Sequence, residues 1–347
     1  MTRSVLIFRP VGYALIAFSA LGMVACSDKP GLTEYADKLH SDVHDTLELP
    51  ARSITPEKPA LQYPAKSELK RDVERTSLGF MDSMRLNHCR LGQEIAENNS
   101  SLGKLKDGFS KYHADLTMIQ ALEDCIEHPE SANVKTQLEE ALAHKKSQLS
   151  ASLANAFAYE EGLRKALSIG NNPLPQIHVT EYNYAVNALE RFTRILERWN
   201  YTKEPDDPSE MIKMLGRLER SNYLPDLFRT MLDYAHKLDA MREQLPETPE
   251  SLHCPNGNVP KKAEQLRDAF NNIYIKEMQG DIAEVIEQHQ RLLMTLENLQ
   301  GIAPQPALKD YIAELGKLSK VLTDATVHFV RPWQRFYSAC NFTPAPD

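Results

Sequence analysis

Few residues in this sequence have the types and spacing that metal binding requires. His40 and His44 lie four residues apart on a predicted helix, so both imidazoles project from one face. Asp37, Asp42 and Asp45 add carboxylates nearby. A metal site needs three or four ligands, and no second histidine pair is visible to complete one. We therefore predict no metal site and interpret the pair as part of a solvated polar face.

The segment 98–103 is the candidate polar loop, because loops on rigid scaffolds often carry binding residues. Its polar residues and glycine are Asn98, Asn99, Ser100, Ser101 and Gly103. The serine pair is compatible with a nucleophile, but serine beside asparagine at a helix end more often caps or turns the backbone. We expect Asn99 and Ser100 to satisfy backbone groups at the helix end, and Gly103 to adopt a positive φ.

The sequence contains no familiar catalytic motif. Gly-x-Ser-x-Gly, P-loop, Gly-x-Gly-x-x-Gly and His-Glu-x-x-His strings are all missing. Asp233 and His236 form one isolated pair, and the Glu-x-x-His string that ends at His253 lies in a predicted loop. A di-iron bundle needs that string on two helices. His289 falls on an apolar stripe, which indicates a core histidine with a partner. We predict neither catalytic residues nor a cofactor.

Residues 1–25 have the pattern of an export signal. Arg3 and Arg9 precede an uncharged apolar run, 11–24, and the small residue Ala25 precedes Cys26. This resembles the bacterial lipoprotein signal, in which cleavage exposes a cysteine that receives acyl chains such as palmitate. The alternatives are an ordinary cleaved signal followed by a chance cysteine, and an uncleaved anchor.

The residues around Cys26 indicate which membrane the protein would reach. Met23 stands where leucine is usual in lipoprotein signals, and Ser27 resembles the outer-membrane pattern rather than the aspartate that favours inner-membrane retention. We predict an outer-membrane lipoprotein that faces the periplasm, with the membrane as its partner through the N-terminal lipid.

The four remaining cysteines predict two disulfides, because an exported chain enters an oxidising compartment. Four cysteines allow three pairings. We favour Cys89–Cys125 and Cys254–Cys340, since shorter loops close at the lowest entropic cost. The first pairing requires residues 99–107 to run partly extended, because the two cysteines lie at different distances from the intervening turn.

Composition limits the class of protein. The chain has 347 residues and a net charge of −8; the signal removes two arginines, which leaves 38 basic against 48 acidic residues, or −10. An acidic chain without basic clusters argues against nucleic acid as a partner. Glycine accounts for only 14 residues, and apolar stripes at helical spacing recur throughout. We predict an all-α, irregular and mostly antiparallel helical bundle.

The predicted organisation has three parts: the signal 1–25, a lipid anchor with a short helix and proline-rich linker over 26–66, and a helical domain over 67–345. The linker is either a disordered tether or an extended segment that packs on the body through Leu61 and Tyr63. A Gly/Asn/Pro cluster at 170–175 suggests that the domain has two halves that meet near 170–178. We also predict that two helices join near Gly280 and that Pro332 kinks or restarts the last helix.

Several motifs resemble an uncharacterised family of Gram-negative lipoproteins, domain of unknown function 3080. They are Tyr63-Pro64, Cys89-Arg90-Leu91, the run 95–103, Cys125-Ile126, Cys254-Pro255, Phe270 with 273–275, and the tail 325–340. Two positions depart from the family pattern: Asn98 replaces a usual arginine, and Gly280 follows Gln279 where proline is common. The resemblance implies a lipid-anchored, helical protein with paired cysteines, and it implies no activity.

These observations favour a non-enzymatic binding or scaffolding protein of the cell envelope, with an envelope protein as a further possible partner. The alternative is an envelope enzyme, or a small-ligand or metal binder, with an unrecognised site. A cleft with converging carboxylates or histidines would favour the alternative, whereas an exposed apolar surface without one would favour the first reading.

Overall fold

The computed structural model describes residues 30–49, 54, 59–74, 86–202, 205, 207–244, 254 and 258–343, and over these ranges it contains helices and no strand. The predicted all-α bundle is confirmed. The helices are α1 (Glu34–Leu47), α2 (Lys66–Leu69), α3 (Leu91–Asn99), α4 (Gly108–Ile126), α5 (Lys135–Tyr159), α6 (Glu161–Leu167), α7 (Val179–Thr202), α8 (Ser209–Arg220), α9 (Tyr223–Gln244), α10 (Lys261–Ala269), a π-helical segment (Phe270–Met278), α11 (Gln279–Ile302), α12 (Pro306–Leu315) and α13 (Leu318–Ala339).

Helix α1 is part of the packed body. Leu32 and the α1 residues Ala36, Leu39 and Val43 belong to the main hydrophobic core. Tyr234 on α9 donates a hydrogen bond to the carbonyl of Leu32 at 2.5 Å. The short helix predicted within 26–66 therefore packs with the helical domain, because its apolar stripe is buried against other helices.

The proline-rich segment also packs on the body where it is described. The Tyr63 hydroxyl donates to the carbonyl of Phe157 at 3.3 Å, and its ring lies edge-on to Tyr311 at 5.2 Å. The Arg164 guanidinium lies 4.5 Å from the centre of the same ring. Residues 59–64 therefore follow the extended, packed alternative, and a disordered tether is wrong for them.

The loop near 170–178 does not separate two cores. Leu163 before the loop and Leu189 after it belong to the same hydrophobic cluster. Within the loop, the Leu174 amide donates to Thr230 Oγ1 at 2.7 Å, and the Gly170 amide donates to the Pro225 carbonyl at 2.8 Å. A smaller, second cluster lies where α3, α4 and α5 meet, around the Cys125 side chain.

The predicted helix junction near Gly280 and a restart of the last helix at Pro332 are wrong. The helical path is continuous from α10 through the π-helical segment into α11, so Gly280 lies inside it, and α13 continues through Pro332. Proline removes one backbone donor, but Phe329 and Trp333, on either side of Pro332, pack on Tyr274 and Phe270 of the π-helical segment. Tertiary packing here overrides a local helix-breaking residue.

Candidate functional site

The polar loop predicted from sequence closes the end of α3. Ser100 Oγ donates to the Glu97 carbonyl at 2.7 Å and accepts from the Gly103 amide at 3.0 Å. The Asn98 side chain donates to the Glu94 carbonyl at 2.9 Å. Asn99 and Ser101 are exposed. The side chains of Asn98 and Ser100 therefore form hydrogen bonds to nearby backbone groups.

The expectation that Gly103 adopts a positive φ is wrong. Gly103 lies in a short 3₁₀ turn, Gly103–Leu105, and the glycine with a positive φ among the described residues is Gly108, at 50°. Gly103 is required by close approach, because a Cβ atom there would lie 2.1 Å from the Glu97 carbonyl oxygen.

Both predicted disulfides form. Cys89–Cys125 has a Cα–Cα distance of 5.5 Å, and Cys254–Cys340 has one of 5.0 Å. The first pairing is possible because Ser100 and Lys106 are extended on either side of the 3₁₀ turn. The region between the cysteines thus runs partly extended, as the pairing required.

One cluster near the first disulfide has the composition of a metal site. Ligand atoms of His88, Cys89 and Cys125 lie within 4.8 Å of one another. The His88 ring also lies 4.8 Å from that of His128, and its Nε2 is 2.8 Å from Ser131 Oγ. The disulfide withdraws both sulfurs from coordination, so the cluster does not form a thiolate site in this state.

His40, His44 and His289 have buried positions. His40 and His44 are largely buried, with ring centres 4.1 Å apart, beside Met241, Phe329 and Trp333. The expectation of a solvated polar face is therefore wrong, because this face of α1 packs inward. His289 is fully buried and its Nε2 lies 3.0 Å from the Leu315 carbonyl, which confirms the prediction of a partnered core histidine.

Sequence reasoning missed an aromatic groove between the π-helical segment and the end of α13. Phe270, Tyr274, Trp333 and Tyr337 form its floor, and the cavity has a volume of about 500 Å³. Phe270 stacks on Trp333 at 4.4 Å and on Tyr274 at 4.8 Å between ring centres. The groove is therefore lined by a stacked aromatic cluster whose members are largely buried.

Side chains four residues apart line the rims of this aromatic groove. Asn271, Ile275 and Gln279 form one rim, and the rim on α13 has the same spacing of four residues. These positions are half-buried or exposed, so their polar groups are accessible from solvent. The α13 rim consists of Val330, Gln334 and Ser338.

The lining of the groove is uncharged. It contains no acidic or basic side chain among the described residues, and a nearby cation is the Arg267 guanidinium, 5.0 Å from the centre of the Phe342 ring. Burial raises the pKa of the Tyr274 and Tyr337 phenols to about 12, so both stay neutral at physiological pH. Tyr337 donates to Asn271 Oδ1 at 2.7 Å, which fixes the orientation of that amide. The site offers apolar contact and neutral hydrogen-bonding groups.

Two features near the groove are typical of functional sites. Nine residues, Phe270–Met278, form the π-helical segment, and π-helical turns occur frequently at functional positions. Trp333 is largely buried, and its Nε1–H has no acceptor among the described residues. Cys340, which follows the groove on α13, is held by the second disulfide. The signal in the sequence is the helical spacing of Phe329, Trp333, Phe336 and Tyr337, which by itself indicates only buried residues.

A larger cleft between α7 and α8 has a different character. It measures about 1060 Å³ and is lined mainly by exposed or half-buried charged residues, four arginines and two glutamates, with Arg191 paired to Glu210 at 3.1 Å. Exposed ion pairs of this kind contribute little and are readily solvated. We therefore base the functional argument on the aromatic groove.

The predicted lipidation site Cys26 lies outside the described residues, as do residues 250–253, which contain the Glu-x-x-His string. In the part of the chain that the structure describes, no helix has both the length and the apolar character needed to span a membrane.

Fold and site together define an all-α bundle protein with a neutral aromatic groove. The chain belongs to the family described as protein of unknown function (DUF3080), which matches residues 36–344. No curated protein and no solved structure gives a significant match.

Proposed function

We propose that this protein is a lipid-anchored, non-enzymatic binding protein of the cell envelope, whose aromatic groove holds an uncharged and partly apolar molecule. An acyl chain with a neutral ester or amide group has the matching chemistry. The observation that carries the proposal is the groove lining, which is aromatic on the floor, partly polar on the rims and contains no charged side chain.

The size and lining of the groove support small-molecule binding. Ligand sites usually measure about 300–1000 Å³ and combine apolar walls with a few polar groups that set orientation. The groove lies within that range at about 500 Å³. A lining without charged side chains favours neutral ligands, because a charged ligand would be buried there without a partner of opposite charge.

Binding is favoured over catalysis at this groove. A general base must be deprotonated near neutral pH, whereas burial holds the Tyr274 and Tyr337 phenols protonated. The Tyr337 hydroxyl contacts the Asn271 amide and the Arg267 carbonyl, and neither is a base. The phenols act as hydrogen-bonding groups that position a ligand.

The anchoring part of the proposal is supported by the sequence. The signal-like segment 1–25 precedes Cys26, and acylation of Cys26 would hold the protein at the outer membrane, facing the periplasm. The two disulfides agree with folding in an oxidising compartment. The partners we propose are the membrane and an envelope protein, and not nucleic acid.

A pair of fluorescent dyes tests the groove. Neutral phenylnaphthylamine should bind with saturation, whereas the anionic dye anilinonaphthalene sulfonate should bind less well. Ser338→Trp should fill the groove and weaken binding of the neutral dye by about tenfold or more, equivalent to roughly 1.4 kcal/mol.

Met294→Trp is the matched control, because Met294 is 73% exposed and is not among the groove residues. Equal dye binding in the Ser338→Trp and Met294→Trp variants would refute binding in the groove. A clear preference for the anionic dye would contradict the neutral-ligand assignment.

A further inference from the structure

Two leucines project from the loop between α3 and α4. Leu102 is 79% exposed and Leu105 is 75% exposed, which are the two highest values among the large hydrophobic residues that the structure describes. They are three residues apart across the 3₁₀ turn Gly103–Leu105, where side chains at this spacing eclipse one another. Both leucines therefore project on the same side. We call residues 102–106 the leucine tip.

The leucine tip is held in place by backbone contacts. The Leu105 amide donates to the Leu102 carbonyl at 3.1 Å, and the Lys104 amide donates to the Ser100 carbonyl at 3.1 Å. Gly103 is buried against the Glu97 carbonyl with no space for a side chain. The leucines are thus presented outward by a fixed turn, and packing against the body would require the turn to rearrange.

The charged residues of the leucine tip indicate which kind of surface it contacts. Lys104 and Lys106 alternate with the leucines, are exposed, and form no ion pair with another described residue. Glu97 and Asp107 flank the tip, so the positive charge is confined to the turn itself. Apolar side chains interleaved with lysine match the boundary between acyl chains and anionic headgroups.

We propose that the leucine tip docks on a lipid bilayer that contains anionic headgroups, with Leu102 and Leu105 entering the acyl region and Lys104 and Lys106 at the phosphates. A protein partner fits less well, because a stable protein interface needs about 800 Å² on each side and the tip offers two apolar side chains. The proposal does not depend on the aromatic groove or on acylation of Cys26.

A fluorophore next to the leucines tests this docking. Ser101 is exposed, so Ser101→Cys labelled with nitrobenzoxadiazole under non-reducing conditions reports on the tip while both leucines remain. The full-length protein is mixed with vesicles of phosphatidylcholine, with or without phosphatidylglycerol. Labelling of the parent protein measures the background from any other free thiol.

We expect a blue-shifted emission and about threefold less iodide quenching with phosphatidylglycerol vesicles, and a smaller effect with phosphatidylcholine alone. Leu102→Ser with Leu105→Ser should abolish the shift, and Lys104→Gln with Lys106→Gln should weaken it. Met294→Ser removes a comparably exposed side chain elsewhere and should leave the shift unchanged. All three variants should melt at the parent temperature.

Emission that does not respond to vesicles would overturn the proposal, as would a full shift in the double leucine variant. Protection that depends on protein concentration and occurs without vesicles would show a second copy as the occupant. A lower melting temperature in the double leucine variant would show that the leucines pack within the fold.

Discussion

Gly103 shows how one residue can be predicted correctly as important for the wrong reason. We expected a positive φ, but the structure places a carbonyl oxygen 2.1 Å from where its Cβ would be. Backbone approach between Gly103 and Glu97 depends on the exact path of the turn, which residue types alone do not specify. Ser100, by contrast, has the capping contacts expected of its type.

Gly103→Ala should therefore lower the free energy of unfolding by about 1–3 kcal/mol through overpacking. Gly280→Ala is the matched control, because nothing lies within 4 Å of its Cβ position and alanine favours a helix by about 1 kcal/mol. Urea denaturation measures both. If Gly103→Ala were as stable as the parent protein, the close approach at Gly103 would be disproved.

His289 should make stability depend on pH. Burial lowers the pKa of this imidazole to about 4, despite its contact with the Leu315 carbonyl. The unfolded chain, with an ordinary pKa near 6.5, therefore binds the extra proton first as the pH falls. The contribution of neutral His289 to the free energy of unfolding is therefore present above pH 6.5. It decreases on acidification, by roughly 2 kcal/mol between pH 6.5 and pH 5.

The measurement compares urea denaturation of the parent protein and of His289→Gln at these two pH values. Glutamine can still donate to the Leu315 carbonyl, but it does not titrate. The parent should lose more stability than the variant on acidification. An equal loss in both proteins would show that His289 does not titrate as its burial requires.

At the scale of elements, helical stripes and cysteine pairing were predictable from the sequence. The α1 stripe, for example, contains Leu39 and Val43, and both are buried. Prolines and glycines were less informative, because α13 continues through Pro332 and the helical path continues through Gly280. Proline or glycine inside a helix costs a few kcal/mol at most, and the free energy of tertiary packing can exceed that penalty.

The aromatic groove was not predictable in the same way. Tyr274 and Trp333 are 59 residues apart in sequence and meet only because the π-helical segment packs beside α13. Aromatic residues at helical spacing indicate burial, and Tyr274 and Trp333 are buried. Spacing does not indicate a cavity above them, because that depends on the separation of the two helices.

At the scale of the whole molecule, the N-terminal lipid would determine where the groove operates. If the proposed acyl anchor is attached to Cys26, Cys26→Ala should abolish acylation and release the protein from the membrane fraction. Radiolabelled palmitate incorporation and detergent partitioning measure this. Unchanged labelling and partitioning in the variant would contradict lipid anchoring and leave the groove proposal to be judged separately.

The most direct test of the central claim uses Trp333 as a reporter of groove occupancy. The chain has two tryptophans, and Trp199 is fully buried outside the groove lining, so Trp199→Phe leaves Trp333 as the single emitter. A brominated, uncharged acyl ester should quench Trp333 with saturation, and the corresponding charged fatty acid should quench it less. The reverse variant, Trp333→Phe, should show no saturable quenching of Trp199. Equal quenching of the two tryptophans, or none of Trp333, would contradict a ligand-binding groove.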